Sequence, residues 1–178
     1  MKHISLSVLL LLAMCPLFGQ NAEGSFWTDL SVVANATKID LQIDFTDAEI
    51  LGEDFADFAA AEPEWAQCEP AIRKKFIRAF NEEANDGPYP HRLGDFPDAD
   101  YRMVLKVTRV TDKGSDVNAD LSLVNAAGEV VFFRRVNGER GRVGSVCNLM
   151  EDAFEDLGES LGTKFYWCAR VLRHYLGW

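Results

Sequence analysis

The chain has 178 residues, 48% of them hydrophobic and 26% charged, with 28 acidic against 18 basic side chains and a net charge of −10. That apolar content supports a buried core and sets intrinsic disorder aside, and the length suits one domain. The acidic balance excludes a protein that grips nucleic acid through a cationic footprint, and no apolar run reaches the roughly 18 residues of a membrane-spanning helix.

Residues 1–19 read as a secretory signal peptide, with Lys2 and His3 before an apolar stretch from Ile4 to Met14, then Pro16 and a small Gly19 before Gln20. Lipoprotein processing at Cys15 is the weaker alternative, because Met14 stands where a lipobox needs a small residue. The expectation is an exported protein, periplasmic or extracellular, with residues 20–36 as an amino-terminal extension. Three cysteines follow the leader, Cys68, Cys147 and Cys168. An oxidising compartment permits one disulfide in any of three pairings, and small buried thiols are the competing reading. Their spacing matches no zinc signature, and no metal or cofactor is expected.

Ile39, Leu41, Ile43 and Phe45 alternate with polar residues and predict a half-buried strand over 37–46. A short helix is expected around 53–60. Pro70 suits the first position of a longer helix, along which Ile72, Phe76, Ile77, Phe80 and Ala84 recur at helical spacing before the stop signal Asn85-Asp86-Gly87-Pro88. Its basic cluster, Arg73, Lys74, Lys75 and Arg78, reads as a solvated helix face.

Two hairpins come next. Tyr101, Met103, Leu105 and Val107 share one face, as do Val117, Ala119, Leu121 and Leu123, with a turn centred on Lys113. That register sets Leu105 opposite Leu121 and Lys106 opposite Asp120, an attractive cross-strand ion pair. The second turn, Asn125 to Glu129, wants Gly128 in the left-handed conformation, and puts Leu121 opposite Phe133 and Asp120 opposite Arg134. The sheet's second face then carries Val104, Val124, Val130 and Phe132, an apolar area that something should cover. A final helix follows, with Asn148 to Glu151 as its capping box, acids in its first turns, and a stripe of Met150, Phe154, Leu157, Leu161, Phe165, Cys168 and Leu172. The order β-α-β-β-β-α predicts a single α+β domain over 37–165, an antiparallel-rich sheet with two main helices on one face, and an aromatic helical tail over 166–178.

Several motifs invite chemistry and fail on context. Gly158-Glu159-Ser160-Leu161-Gly162 matches a nucleophile elbow, but it falls within a helical stripe and no acid follows Ser160. The glycines, four apart, read instead as a close helix approach or a kink. Asp116, Asn118 and Asp120 begin like a calcium loop, yet Leu121 and Ala127 occupy the positions that need Gly and Glu. His91, Asp95, Asp98 and Asp100 have no diagnostic ligand spacing.

Two features carry binding hypotheses. The glycine-rich connection supplies Gly138, Arg140, Gly141, Arg142, Gly144 and Ser145, whose backbone N–H groups and guanidinium charges suit an anion. The carboxyl end supplies Phe165, Trp167, Val171, Leu172, Tyr175 and Trp178 as an apolar arc for docking a partner or a membrane surface peripherally, against the plainer reading of a terminal helix packed on its own core.

With the leader and element order, the segments Asp98-Ala99-Asp100-Tyr101 and Leu123-Val124-Asn125-Ala126-Ala127-Gly128-Glu129-Val130-Val131 give the chain a family likeness. It resembles uncharacterised exported proteins of Gram-negative bacteria. More distantly it is similar to the periplasmic α/β domains of the amino-terminal part of the Tol-Pal translocation protein, the curli-secretion lipoprotein, and the lipoprotein activators of penicillin-binding proteins. The likeness spans roughly residues 37–165 and implies an assembly or interaction module with no catalytic residues to carry over. The leading expectation is a non-enzymatic envelope protein that binds an envelope protein partner. The alternative is a small-anion binder using loop 138–145.

Overall fold

Alternating apolar residues build a seven-stranded mixed sheet in the computed structural model, which describes residues 32–86, 90–141 and 143–175. The elements run β1 (Lys38–Asp44), β2 (Glu49–Ile50), β3 (Glu53–Asp54), α1 (Phe55–Ala61), α2 (Trp65–Ala84), β4 (Arg92–Gly94), β5 (Tyr101–Thr111), β6 (Asp116–Asn125), β7 (Val130–Glu139) and α3 (Val146–Arg170), with a π-helical turn at Val171–Tyr175. The leader, Cys15 and most of the amino-terminal extension lie outside the described residues.

The α+β class is as expected, but the sheet is less purely antiparallel. β5, β6 and β7 form the expected meander, whereas β1 lies parallel to both β5 and β4. Past Asp44 the chain turns through Phe45–Ala48 and resumes as β2, again parallel to β5. The short strands β2, β3 and β4 carry too few residues to show periodicity, which hides them from a sequence reading.

Two bulges set the registers. Thr108 is the extra residue on β5, between the pairs Val107↔Ala119 and Arg109↔Asn118. Leu105↔Leu121 and Lys106↔Asp120 then face each other as expected. On β7 the extra residue is Val131, and it corrects the second hairpin by one position: Leu121 faces Arg134 and Asp120 faces Arg135. Phe132 therefore turns inward and is 4% exposed, while Phe133 points out at 45%. The turn itself is as expected. Gly128 has φ +82°, and the Asn125 carboxamide oxygen accepts from the backbone N–H groups of Ala127 and Glu129, both at 3.0 Å.

Both long helices cover the inner face. α2 begins at Trp65 rather than at Pro70, because Trp65 is held in an aromatic cluster with Phe45, Phe55 and Phe58 and Cys68 is bonded to Cys147. α3 begins after Ser145, whose hydroxyl accepts from the Asn148 N–H at 3.4 Å, so Ser145 and not Asn148 is the cap. Its stripe from Met150 to Cys168 is buried, and each fully buried phenylalanine contributes about 2–3 kcal/mol of apolar transfer. The basic cluster is only in part a solvated face. Lys75 reaches Asp152 at 2.9 Å and Glu151 at 3.3 Å, Arg78 pairs with Glu155, and Arg73 pairs with Asp95 and donates to the Leu41 carbonyl. Lys74 and Arg78 are exposed, as a solvated face would have them, while Arg73 and Lys75 are partly buried.

The helices touch backbone to backbone. A Cβ on Gly158 would stand 2.7 Å from the Phe76 carbonyl oxygen, and one on Gly162 would stand 2.5 Å from that of Phe80. The glycine pair is thus a close approach, as its spacing suggests. Gly162→Ala is expected to destabilise the fold by about 1–3 kcal/mol through overpacking, outweighing the roughly 1 kcal/mol that alanine gains in helix propensity. Urea denaturation monitored by circular dichroism measures this; a stability equal to or above the parent would mean that the helices can separate at no cost.

Candidate interaction surface

The outer face of the sheet lies on the side away from α2 and α3. Opposite charges cross it in a ladder. Asp40 accepts from Arg102 at 3.0 Å, Asp47 pairs with Lys106 at 2.6 Å, Glu49 with Arg109 at 3.3 Å and Asp120 with Arg135 at 3.8 Å. The expected Lys106–Asp120 pair is in register, but Lys106 reaches along its own side to Asp47 and leaves Asp120 to Arg135. Such solvated pairs contribute little to stability. Their effect is to keep the face hydrated around its apolar strip.

That strip runs through Val104, Val124 and Phe133, with Val130 61% exposed beside it, while the bulge residue Val131 packs partly against the core. The bulge at Val131 replaces Phe132 by Phe133, and Arg134 by Arg135, in the set expected from strict alternation. The doubled run Val130-Val131-Phe132-Phe133 was the available signal, since four consecutive apolar residues cannot all face one core from a regular edge strand. A shallow cleft of about 290 Å³ borders the strip, lined in part by Asp40, Phe96, Asp100, Arg102 and Val124. It carries both charges and few apolar atoms.

The glycine-rich connection runs along α3. Gly138 is buried inside β7, where a side chain would collide with the Ala153 carbonyl of α3. Glu139 donates its N–H to the Asp156 carboxylate at 3.2 Å, and Arg140 pairs with Glu159 at 2.8 Å. Gly141 packs against Leu149 and Asp152, and Ser145 is spent as the α3 cap. Gly144 lies against Asn148, and Arg142 falls outside the described residues. Of the expected anion-site residues, Arg140 is thus committed to a carboxylate of α3.

The tail set also divides. Phe165, Val171 and Leu172 are buried at 1%, 4% and 0% exposure, so they belong to the core and cannot meet a partner. Phe165 packs edge-on against Phe80 and against the His91 ring. Arg173 donates to the Ala34 carbonyl at 2.9 Å, tying the tail to the helical turn at 32–35. Trp167 remains outside at 42%, with the Arg170 guanidinium 5.0 Å from its ring. The Tyr175 side chain and Trp178 lie outside the described residues. The core accordingly extends beyond residues 37–165, to Val33 at one end and Leu172 at the other.

The remaining motifs are dispersed. Ser160 lies within α3, about 20 Å of helix rise from His174. Asp116 binds Thr111 and Asn118, as a strand residue does. Asp95 and Asp98 pair with Arg73 and Lys38, while His91 is buried with Nδ1 2.9 Å from the Ala36 carbonyl oxygen. Among the described residues, Glu62, Glu64 and the Cys147 sulfur lie within 4.8 Å of one another. The Cys147 sulfur is committed to Cys68, so it offers no thiolate to a metal. Cys168 is buried outside the disulfide.

Two outcomes follow from the buried tail. Leu172→Ala should cost about 2–5 kcal/mol of stability in chemical denaturation, the loss expected for a core leucine; a change in association with unaltered stability would contradict that assignment. Burial holds the His91 imidazole below its ordinary value of 6.5, opposed by the Ala36 carbonyl and reinforced by Arg173. The unfolded chain takes up a proton near pH 6.5 that the folded chain refuses, so this stability is whole above 6.5 and is lost as pH falls towards the folded value. Denaturation midpoints at pH 7.5 and pH 5 should fall for the parent and fall less for His91→Gln; equal slopes would exclude His91 as the cause.

Compared with known proteins, the chain matches no family model and no curated sequence. Among solved structures it is similar to a Xanthomonas campestris protein of the family DUF330, at 13% identity and a TM-score of 0.39, over 80% of this chain and 88% of that one. It is also similar to a PelC dodecamer subunit from Paraburkholderia phytofirmans, at 12% identity and a TM-score of 0.36, over 71% and 87%.

Proposed function

We propose that this chain is an exported, non-enzymatic envelope protein that acts as an interaction module, presenting the outer face of its sheet to another envelope protein. The observation that carries this reading is the one-sided packing of the fold. Both long helices lie on the inner face, so Val104, Val124 and the 45% exposed Phe133 stand on the side away from them. An apolar strip rimmed by ion pairs has the layout of a recognition surface, with a greasy centre and a hydrated border. Export is supported by two features that need each other. The leader directs the chain to a compartment where thiols oxidise, and Cys68 and Cys147 stand bonded with Cα atoms 5.4 Å apart. A disulfide closing 79 residues is expected to contribute about 4 kcal/mol.

Site-specific photo-crosslinking in intact cells tests the reading. A photoreactive phenylalanine analogue at Phe133 should give a discrete adduct that Val124→Lys abolishes, and the same analogue at the solvent-facing Lys74 should give none. Protein recovered from the envelope fraction should carry the Cys68–Cys147 bond. Adducts from position 74 alone, or a cytoplasmic protein with reduced thiols, would overturn the proposal.

A further inference from the structure

We infer that the open edge of β7 is a strand-addition site for an extended peptide carrying an acidic residue two positions before an apolar one; this rests on the interaction-module reading above. The sheet's edges are treated unequally. At β4 the Asn81 carboxamide occupies the edge, donating to the Leu93 carbonyl and accepting from the Leu93 N–H, both at 2.8 Å, as a neighbouring strand would. At β3 the edge is two residues long. β7 has ten residues and, among the described residues, pairs with β6 alone. An edge of that length without proline is normally blunted. Its single bulge falls at Val131, so Phe132 to Glu139 run in unbroken register with β6, and only at Glu139 is the outward N–H taken, by the Asp156 carboxylate, which leaves Phe133 to Asn137 for a guest.

A regular edge supplies main-chain hydrogen bonds, and the alternate side chains beside it select the guest. On the outer face these are Phe133, Arg135 and Asn137. Phe133 is 45% exposed, and the Arg135 side chain is 89% exposed, its ion pair to Asp120 stretched to 3.8 Å and easily exchanged. A guest antiparallel to β7 meets Arg135 first and Phe133 two residues later, which calls for an acid and then an apolar side chain. The whole chain carries −10, so a guest rich in acids is repelled at a distance. One acid in an otherwise neutral strand fits. A second copy fits less well: paired about Arg135, two β7 edges would oppose like charges.

The test uses the full exported chain and labelled ten-residue peptides of alternating threonine and valine, with one glutamate two positions before a phenylalanine, read by fluorescence anisotropy. The Glu peptide should bind saturably, and its Lys counterpart about tenfold or more weakly. Arg135→Glu should invert that preference, and N-methylation of alternate peptide amides should abolish binding while circular dichroism shows each variant folded. Absence of saturable binding, indifference to Arg135→Glu, or a dimer in sedimentation that Phe133→Ser dissolves would each overturn the inference. Peptides that fail while crosslinks from position 133 persist would remove strand addition and leave the interaction module standing.

Discussion

Everything about which side of this molecule meets the outside follows from how closely α2 and α3 lie. At Gly158 and Gly162 the two backbones are in contact, and that intimacy is reinforced at one end by the Cys68–Cys147 bond and along the length by Lys75 and Arg78 against the acids of α3. Dispersion and apolar transfer then favour every inward strand residue at once, from Ile39 and Leu93 on one flank to Phe132 on the other. With the inner face saturated, no further element is needed there, and the opposite face is left to polar side chains and a short apolar strip.

The same pairing explains why acids crowd the start of α3. The helix dipole favours them, but Glu151, Asp152 and Glu155 each also lie within 4.0 Å of the Lys75 ammonium. Partial burial works against the Lys75 charge, but Asp152 and Glu151 outweigh it and raise the ammonium above its ordinary value. A basic run on one helix and an acidic run on another, 77 residues apart, are two halves of one contact.

How far the sequence discloses all this depends on the range of the determining interaction. Period-two and period-3.6 patterns are local, so β1, β5, β6 and the stripe of α3 were legible from Ile39, Leu105, Leu121 and Phe154. The parallel pairing of β1 with β5 is a decision between residues 62 positions apart, as in Ile39↔Tyr101, and leaves no local trace. The bulge at Val131 adds one residue to an alternating run and thereby exchanges Phe132 for Phe133 on the outer face, moving the candidate site by a single place. The aromatic tail shows the opposite limit. Hydrophobicity announces that Phe165 and Leu172 will be buried, but not whether the covering surface belongs to the same chain; Phe80, His91 and the turn at Ala34 answer that.

Asn81 has a consequence for self-association. A sheet with two vacant rims can be extended without limit, each new molecule offering the next one a place to attach. Here the amide of one asparagine stands in for a neighbour at the β4 rim, so lateral growth has only a single direction available. On the strand-addition reading, a molecule of that kind would cap an array at its β4 rim.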